Sequence, residues 1–95
     1  MDIKRYRNIV EDAESMIKVF EEYTSITLDI FLEPDEVSLY YKTDTITLDI
    51  CVYGEGMYSY YYLDPTHELF ADDKPLNTLR FDEIILKLKK EYIIH

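Results

Sequence analysis

The pentapeptide Ile-Thr-Leu-Asp-Ile occurs at 26–30 and again at 46–50, and this repeat constrains the fold of the 95-residue chain more than any other feature. Self-similarity at a fixed offset marks a supersecondary unit used more than once, so it is read before any single element. Extending the offset of twenty without gaps aligns 26–44 with 46–64, and eight of the nineteen pairs are identical. These include Tyr40 with Tyr60, Tyr41 with Tyr61 and Asp44 with Asp64. Glu33-Pro34-Asp35-Glu36 falls against Tyr53-Gly54-Glu55-Gly56, where Pro, Gly and Asp supply turn conformations. Each copy reads as strand, turn, strand, and two hairpins in tandem give a four-stranded antiparallel meander. A chance likeness between two amphipathic hairpins is the alternative, because strands draw on few residue types.

Alternation along each strand assigns the faces, since successive side chains point to opposite sides of a sheet. One face collects Ile26, Leu28, Ile30, Leu32, Val37, Leu39 and Tyr41, then Ile46, Leu48, Ile50, Val52, Met57, Ser59, Tyr61 and Leu63. It is nearly all apolar and is expected to be buried. The other collects Thr27, Asp29, Phe31, Ser38, Tyr40, Lys42, Thr47, Asp49, Cys51, Tyr53, Tyr58, Tyr60 and Tyr62, rich in tyrosine and acid.

Helical periodicity flanks the strands. Apolar residues recur at Ile3, Tyr6, Val10, Ala13, Ile17 and Phe20, in steps of three and four, with Asp2 as a cap. A second stripe, Phe81, Ile84, Ile85, Leu88 and Tyr92, predicts a helix over 78–92 capped by Asn77 or Thr78, with Lys87, Lys89 and Lys90 late in the helix. Residues 64–77 carry Pro65, Pro75, Asp72 and Asp73 and read as a loop with one turn near His67–Phe70. The expectation is one α+β domain over 1–95, a two-layer sandwich. An N-terminal and a C-terminal helix pack on one face of the four-stranded sheet (αββββα) and leave the tyrosine face to solvent. Helices split across the two faces would instead make the tyrosine face core, an arrangement that Asp29 and Asp49 on that face disfavour.

Twenty acidic residues against ten basic give a formal charge of −10, which opposes direct binding to nucleic acid or to an anionic membrane. One cysteine rules out an internal disulfide and fits a reducing, cytoplasmic setting. No apolar run approaches the roughly 18 residues of a spanning helix, and no leader is expected. Catalytic constellations are poorly represented. His67 and His95 are the neutral-pH proton carriers, Cys51 sits mid-strand without a partner, and no zinc or calcium spacing occurs. Asp29 and Asp49 are equivalent in the repeat, whereas acid–base pairs need unlike environments. The expectation is a non-enzyme with no catalytic residue, metal or cofactor.

What is left is surface. Between Asn8 and Leu79 sixteen acidic residues face three lysines, Lys18, Lys42 and Lys74. The bland reading is a solvated acidic surface. The sharper one is a phosphate-like array offered to a basic protein groove, with tyrosines as anchors because they bury a rigid ring and keep a polar tip. The residues expected to carry it are Asp29, Tyr40, Asp49, Tyr53, Tyr58, Tyr60 and Tyr62 on the sheet, Glu11, Asp12 and Glu14 on the first helix, and Glu33, Asp35 and Glu36 at the first turn. The uncharged strand 57–63 is expected at a sheet edge, open to a partner or to a second copy, unless 64–77 folds back over it.

In size and composition, though in no motif, the chain resembles phage-encoded inhibitors of restriction or CRISPR nucleases. That likeness implies a nucleic-acid mimic in a host cytoplasm that binds a nucleic-acid-acting enzyme. An immunity or antitoxin partner of a basic toxin enzyme would use the same surface, and a self-associating adaptor would use strand 57–63. Iron-handling proteins of the frataxin kind share the helix, sheet, helix order and an acidic first helix, but the absence of tryptophan and the four expected strands set them apart.

Overall fold

The computed structural model describes residues 3–92, with side chains as far as Leu88; Asp2, His95 and the side chains of Lys89, Lys90 and Tyr92 lie outside the described residues. The elements run α1 (Ile3–Tyr23), β1 (Asp29–Leu32), β2 (Val37–Lys42), β3 (Thr47–Val52), β4 (Met57–Leu63), β5 (Glu68–Pro75), a 3-10 helix (Leu76–Phe81) and α2 (Glu83–Tyr92). The chain is α+β, with one antiparallel sheet in the order β1-β2-β3-β4-β5 and a helix at each end.

The sheet has five strands where the sequence reading has four. Glu68-Leu69-Phe70-Ala71-Asp72 alternates with period two, which the flanking prolines and the Asp72-Asp73 pair disguise as loop. β5 pairs with β4 from Glu68 to Pro75, so Met57–Leu63 is an interior strand and the expected dimer edge is filled by the chain itself. An uncharged edge leaves a row of unmet donors and acceptors, and 68–75 folds back to meet them.

Turn length decides which side chains enter the core. The Glu33 N–H bonds the Glu36 carbonyl at 3.0 Å, Thr43 bonds Ile46 at 2.8 Å and Asp64 bonds His67 at 2.9 Å, so three hairpins close on two-residue turns. The β3–β4 connection is longer by one residue than the expected Tyr53–Gly56 turn, since Val52 pairs with Tyr58 and not with Met57. Gly54 (φ 81°) and Gly56 (φ 71°) take left-handed conformations in it, which other residues avoid. One added residue turns every side chain of the following strand to the opposite face. Tyr58, Tyr60 and Tyr62 therefore point into the core at 0%, 6% and 0% exposure. Met57, Ser59, Tyr61 and Leu63 face outward instead, the reverse of the expected assignment.

The same residue limits the repeat. Ile46, Leu48 and Ile50 are buried in central β3, and Ile26 is buried too, but Ile30 at the sheet edge is half exposed. Beyond the turns the copies are out of phase. Tyr40 pairs beside Asp29 and Asp49 on the outer face, whereas its equivalent Tyr60 is core.

Both helices cover the inner face, giving two layers. Ile9, Ala13, Met16 and Phe20 of α1, Leu79 of the 3-10 helix and Ile84, Ile85 and Leu88 of α2 share one core with the inward residues of β2, β3 and β4. The core line of α1 runs one position round from the expected stripe. Ile3 is exposed, and Val10 and Ile17 are half-covered on the flank. α2 starts at Glu83 rather than 78, because 76–81 winds as a 3-10 helix after Pro75. Its cap is Asp82, whose Oδ1 accepts the Ile84 N–H at 3.0 Å, and Phe81 is exposed rather than in the stripe.

Three buried phenols need acceptors, and carboxylates meet that need. The Tyr58 hydroxyl donates to Asp82 Oδ2 at 2.6 Å, and Lys74 Nζ lies 3.2 Å from the same oxygen. The Tyr62 hydroxyl donates to Asp64 at 2.6 Å, Lys87 Nζ lies 3.3 Å from that carboxylate, and the ammonium sits over the Tyr62 ring. Burial pushes the Tyr58 and Tyr60 hydroxyls well up, with Asp82 adding to the effect. Burial also works to raise Asp82, but hydrogen bonds from Tyr58, the Ile84 N–H and Lys74 outweigh it, and the carboxyl is held below its ordinary value.

Two tests follow from this packing. Asp82→Ala strands the Tyr58 hydroxyl and uncaps α2, a loss of about 2–4 kcal/mol in urea unfolding at pH 7. Because the folded carboxyl titrates low, wild type holds this advantage above the ordinary Asp value and loses it as pH drops below about 4. A Cβ on Gly54 would meet Ile9 Cγ1 at 2.5 Å, whereas one on Gly56 would meet nothing within 4 Å. Gly56→Ala therefore incurs only the left-handed backbone term of about 1–2 kcal/mol, and Gly54→Ala costs clearly more in the same assay.

Candidate protein-binding face

With the helices on one side, the outer sheet face is left uncovered, and the strand registers arrange its side chains in rows. Asp29 pairs with Tyr40, Tyr40 with Asp49, Asp49 with Tyr61 and Tyr61 with Phe70, so one row crosses all five strands as acid, ring, acid, ring, ring. At about 4.8 Å between strands the row spans roughly 19 Å. The next row is Phe31, Ser38, Cys51 and Ser59, whose last three small side chains leave a trough. Asp49, Cys51, Ser59, Tyr61, Phe70 and Asp72 border an open hollow of about 380 Å³ there. Phe70 is 71% exposed, Phe31 53% and Tyr61 38%. Phe31 meets the Tyr40 ring edge-on at 6.3 Å, and the Tyr61 hydroxyl donates to Glu68 at 2.8 Å, so these rings are held in place.

Carboxylates gather on the same face. Glu33 and Glu36 flank the Pro34-Asp35 turn, and a hydrogen bond with Glu36, joined by its charge, holds the Glu33 carboxyl above its ordinary value. Partial burial, then the charge of Glu36, does the same for Asp49. Cys51 lies between them. Burial first, then Glu36 and Asp49, push its thiol up to about 11, which favours the protonated form at neutral pH. Like charges crowded at this density raise the energy of the free surface, and an approaching cationic surface would relieve it.

The sequence-predicted residues separate into four groups. Asp29, Tyr40 and Asp49 meet in the central row, and Tyr53 lies further along the same face, where its hydroxyl donates to Asp73. Glu33, Asp35 and Glu36 form the turn at its margin. Tyr58, Tyr60 and Tyr62 are excluded, being core, because the longer β3–β4 turn rotates β4 by one position. Glu11, Asp12 and Glu14 sit on α1, in the other layer, and Asp12 Oδ2 accepts the Gly56 N–H at 3.2 Å, clamping the hairpin to the helix.

Tyr61, Glu68, Phe70 and Asp72 are the members that sequence reading missed, and the alternation at 68–72 is the signal that carries the last three. Among the described residues no group of three or more His, Cys, Asp or Glu is placed to hold a metal ion. The fifth strand removes the strand-count argument against a frataxin-like order, but the acids of α1 and of the sheet stand in separate layers. No helix among the described residues is long and apolar enough to cross a membrane. Family models, curated proteins and solved structures give no match to this chain.

Asp49→Asn removes one charge from the crowded face. The variant is expected to be more stable than wild type at pH 7 by up to about 1 kcal/mol, since it removes a charge that partial burial and the nearby Glu36 both disfavour. The gain shrinks as pH falls through the raised value of Asp49, where wild type takes up its own proton. Urea unfolding at pH 4.5 and 7 checks both the sign and the trend.

Proposed function

We propose that the chain is a non-catalytic, cytoplasmic protein-binding inhibitor that presents its outer sheet face to the basic groove of a nucleic-acid-acting enzyme. One observation carries the reading: the row Asp29, Tyr40, Asp49, Tyr61, Phe70, in which carboxylates alternate with rings on an uncovered face. The carboxylates of β1 and β3 in this row stand in for phosphates against Lys and Arg, and the rings beside them supply desolvated anchors. Phe70 and Tyr61 take the part that sequence reading gave to Tyr58 and Tyr60. Glu33 and Glu36 extend the field toward the first hairpin, and opposite fields speed association and make it sensitive to salt.

The test is affinity capture from lysate of cells expressing the chain, with wild type and a Tyr61→Ala/Phe70→Ala double variant as matched baits. Wild type is expected to retain a basic nuclease, polymerase or effector complex that the variant loses. Raising salt from 50 to 500 mM should slow association at least about tenfold, and the purified chain should block the captured enzyme on nucleic acid. Identical retention by both baits, or an enzyme whose activity is untouched, would contradict the reading.

A further inference from the structure

The two edges of the sheet differ. At the β5 edge the register shifts between Tyr58 and Tyr60, Asp73 turns left-handed (φ 53°), and Lys74 and Pro75 follow, a combination that discourages pairing. β1 has no such protection, and its four residues Asp29–Leu32 are all exposed. The Glu33 to Glu36 bond sets the phase of the β1–β2 ladder. Bonded and non-bonded pairs alternate in an antiparallel ladder, so Asp29 and Phe31 spend their backbone groups on β2 while those of Ile30 and Leu32 point away from the sheet. The same two residues carry apolar side chains on the helix side, 52% and 66% exposed.

Those side chains line a groove between β1 and the half-covered flank of α1. Leu32 and Ile30 face Val10, Ala13 and Ile17 across a hollow of about 230 Å³. On the other side of Ile30 the crevice continues as a second hollow of about 210 Å³, reaching Phe20 and Ile26. An open ladder beside an alternating apolar groove is what strand addition uses, with backbone bonds for affinity and side-chain pockets for selectivity.

The rim identifies the occupant. Glu14 and Glu21 border the hollows, and Asp29, Glu33 and Asp35 run along the strand and turn, all exposed, with Lys18 as a cation between the two helix acids. A second copy laid antiparallel on β1 about Phe31 would set Asp29 of each copy against Glu33 of the other, and like charges directly opposite destabilise a strand pair. We propose that β1 accepts an extended segment of a basic partner protein. Its apolar side chains enter the groove over Ile30 and Leu32, and its intervening Lys or Arg side chains meet Asp29, Glu33 and the Phe31 ring on the outer face. This surface shares Asp29 and Glu33 with the outer face but uses neither Tyr61 nor Phe70, and it requires no nucleic-acid-acting enzyme.

The probe is a capped heptapeptide of alternating Lys and Val, titrated into isotope-labelled chain by NMR beside a Glu–Val counterpart. Shift changes and slowed amide exchange are expected at Ile30 and Leu32, with the Glu–Val peptide at least tenfold weaker. Ile30→Pro deletes a donor that points away from β2, a position where an edge strand tolerates proline, and should weaken binding at least tenfold. Ile30→Lys keeps the donor, charges the groove and should weaken it as much, which guards against misreading a folding defect in the proline variant. Phe70→Ala should leave binding unchanged. The proposal is overturned by equal binding of the Glu–Val peptide, by undiminished binding to both Ile30 variants, or by a dimer in sedimentation that Ile30→Pro converts to monomer.

Discussion

The approach of Gly54 to α1, with room for no side chain against Ile9, is the contact on which the rest of the sheet depends. It lets the β3–β4 hairpin tuck beneath the helix, where Asp12 accepts the Gly56 N–H and closes the junction. A turn of that shape takes one residue more than the other hairpins would suggest, and that residue sends Tyr58, Tyr60 and Tyr62 inward. Buried phenols then require acceptors at the far side of the core. Asp82 and Asp64 supply them, and in doing so tie α2 and the β4–β5 turn to the sheet. The acidic composition thus has a structural use as well as a surface one.

Much of the architecture was legible in the sequence because it rests on periodicity. The inward run Val37, Leu39, Leu48, Ile50, Val52 and the helical positions Ala13, Phe20, Ile84, Ile85 and Leu88 follow from alternation and from three-four spacing. β4 was not legible in the same way. Both of its alternations carry aromatic residues, Tyr58-Tyr60-Tyr62 on one side and Tyr61 on the other, so hydropathy could not choose between them. The choice lay in the φ angles of two glycines. β5 was hidden for a different reason, since Asp72, Asp73 and Pro75 are turn residues that here occupy a bulged edge strand. Likewise Asp82 displaced Asn77 and Thr78 as a cap because those two residues lie in a 3-10 segment that has no counterpart in a simple helical stripe.

For the candidate face the consequence is a substitution of members and not of kind. Aromatic side chains and acids do share the uncovered face, but the rings are Tyr40, Tyr61 and Phe70, with Phe31 in the next row, and the row that joins the first three to Asp29 and Asp49 exists only through strand pairing. No linear stretch of the chain contains it. The acids of α1, close to those of the sheet in count and sign, are separated from them by the thickness of the molecule. A partner reading the sheet face would meet the carboxylates of β1, β3 and β5 and the first hairpin, and leave Glu11 and Glu14 in solvent.

The inward turn of β4 is the central claim, and reactivity of its tyrosines tests it most directly. Mild nitration of the native chain with tetranitromethane, followed by peptide mapping, reads which rings are reachable. The account predicts modification at Tyr61 and Tyr40, with Tyr58 and Tyr62 protected until the chain is unfolded in urea. Equal reaction of Tyr58 or Tyr62 with Tyr61 in the native chain would contradict it and return those rings to the surface.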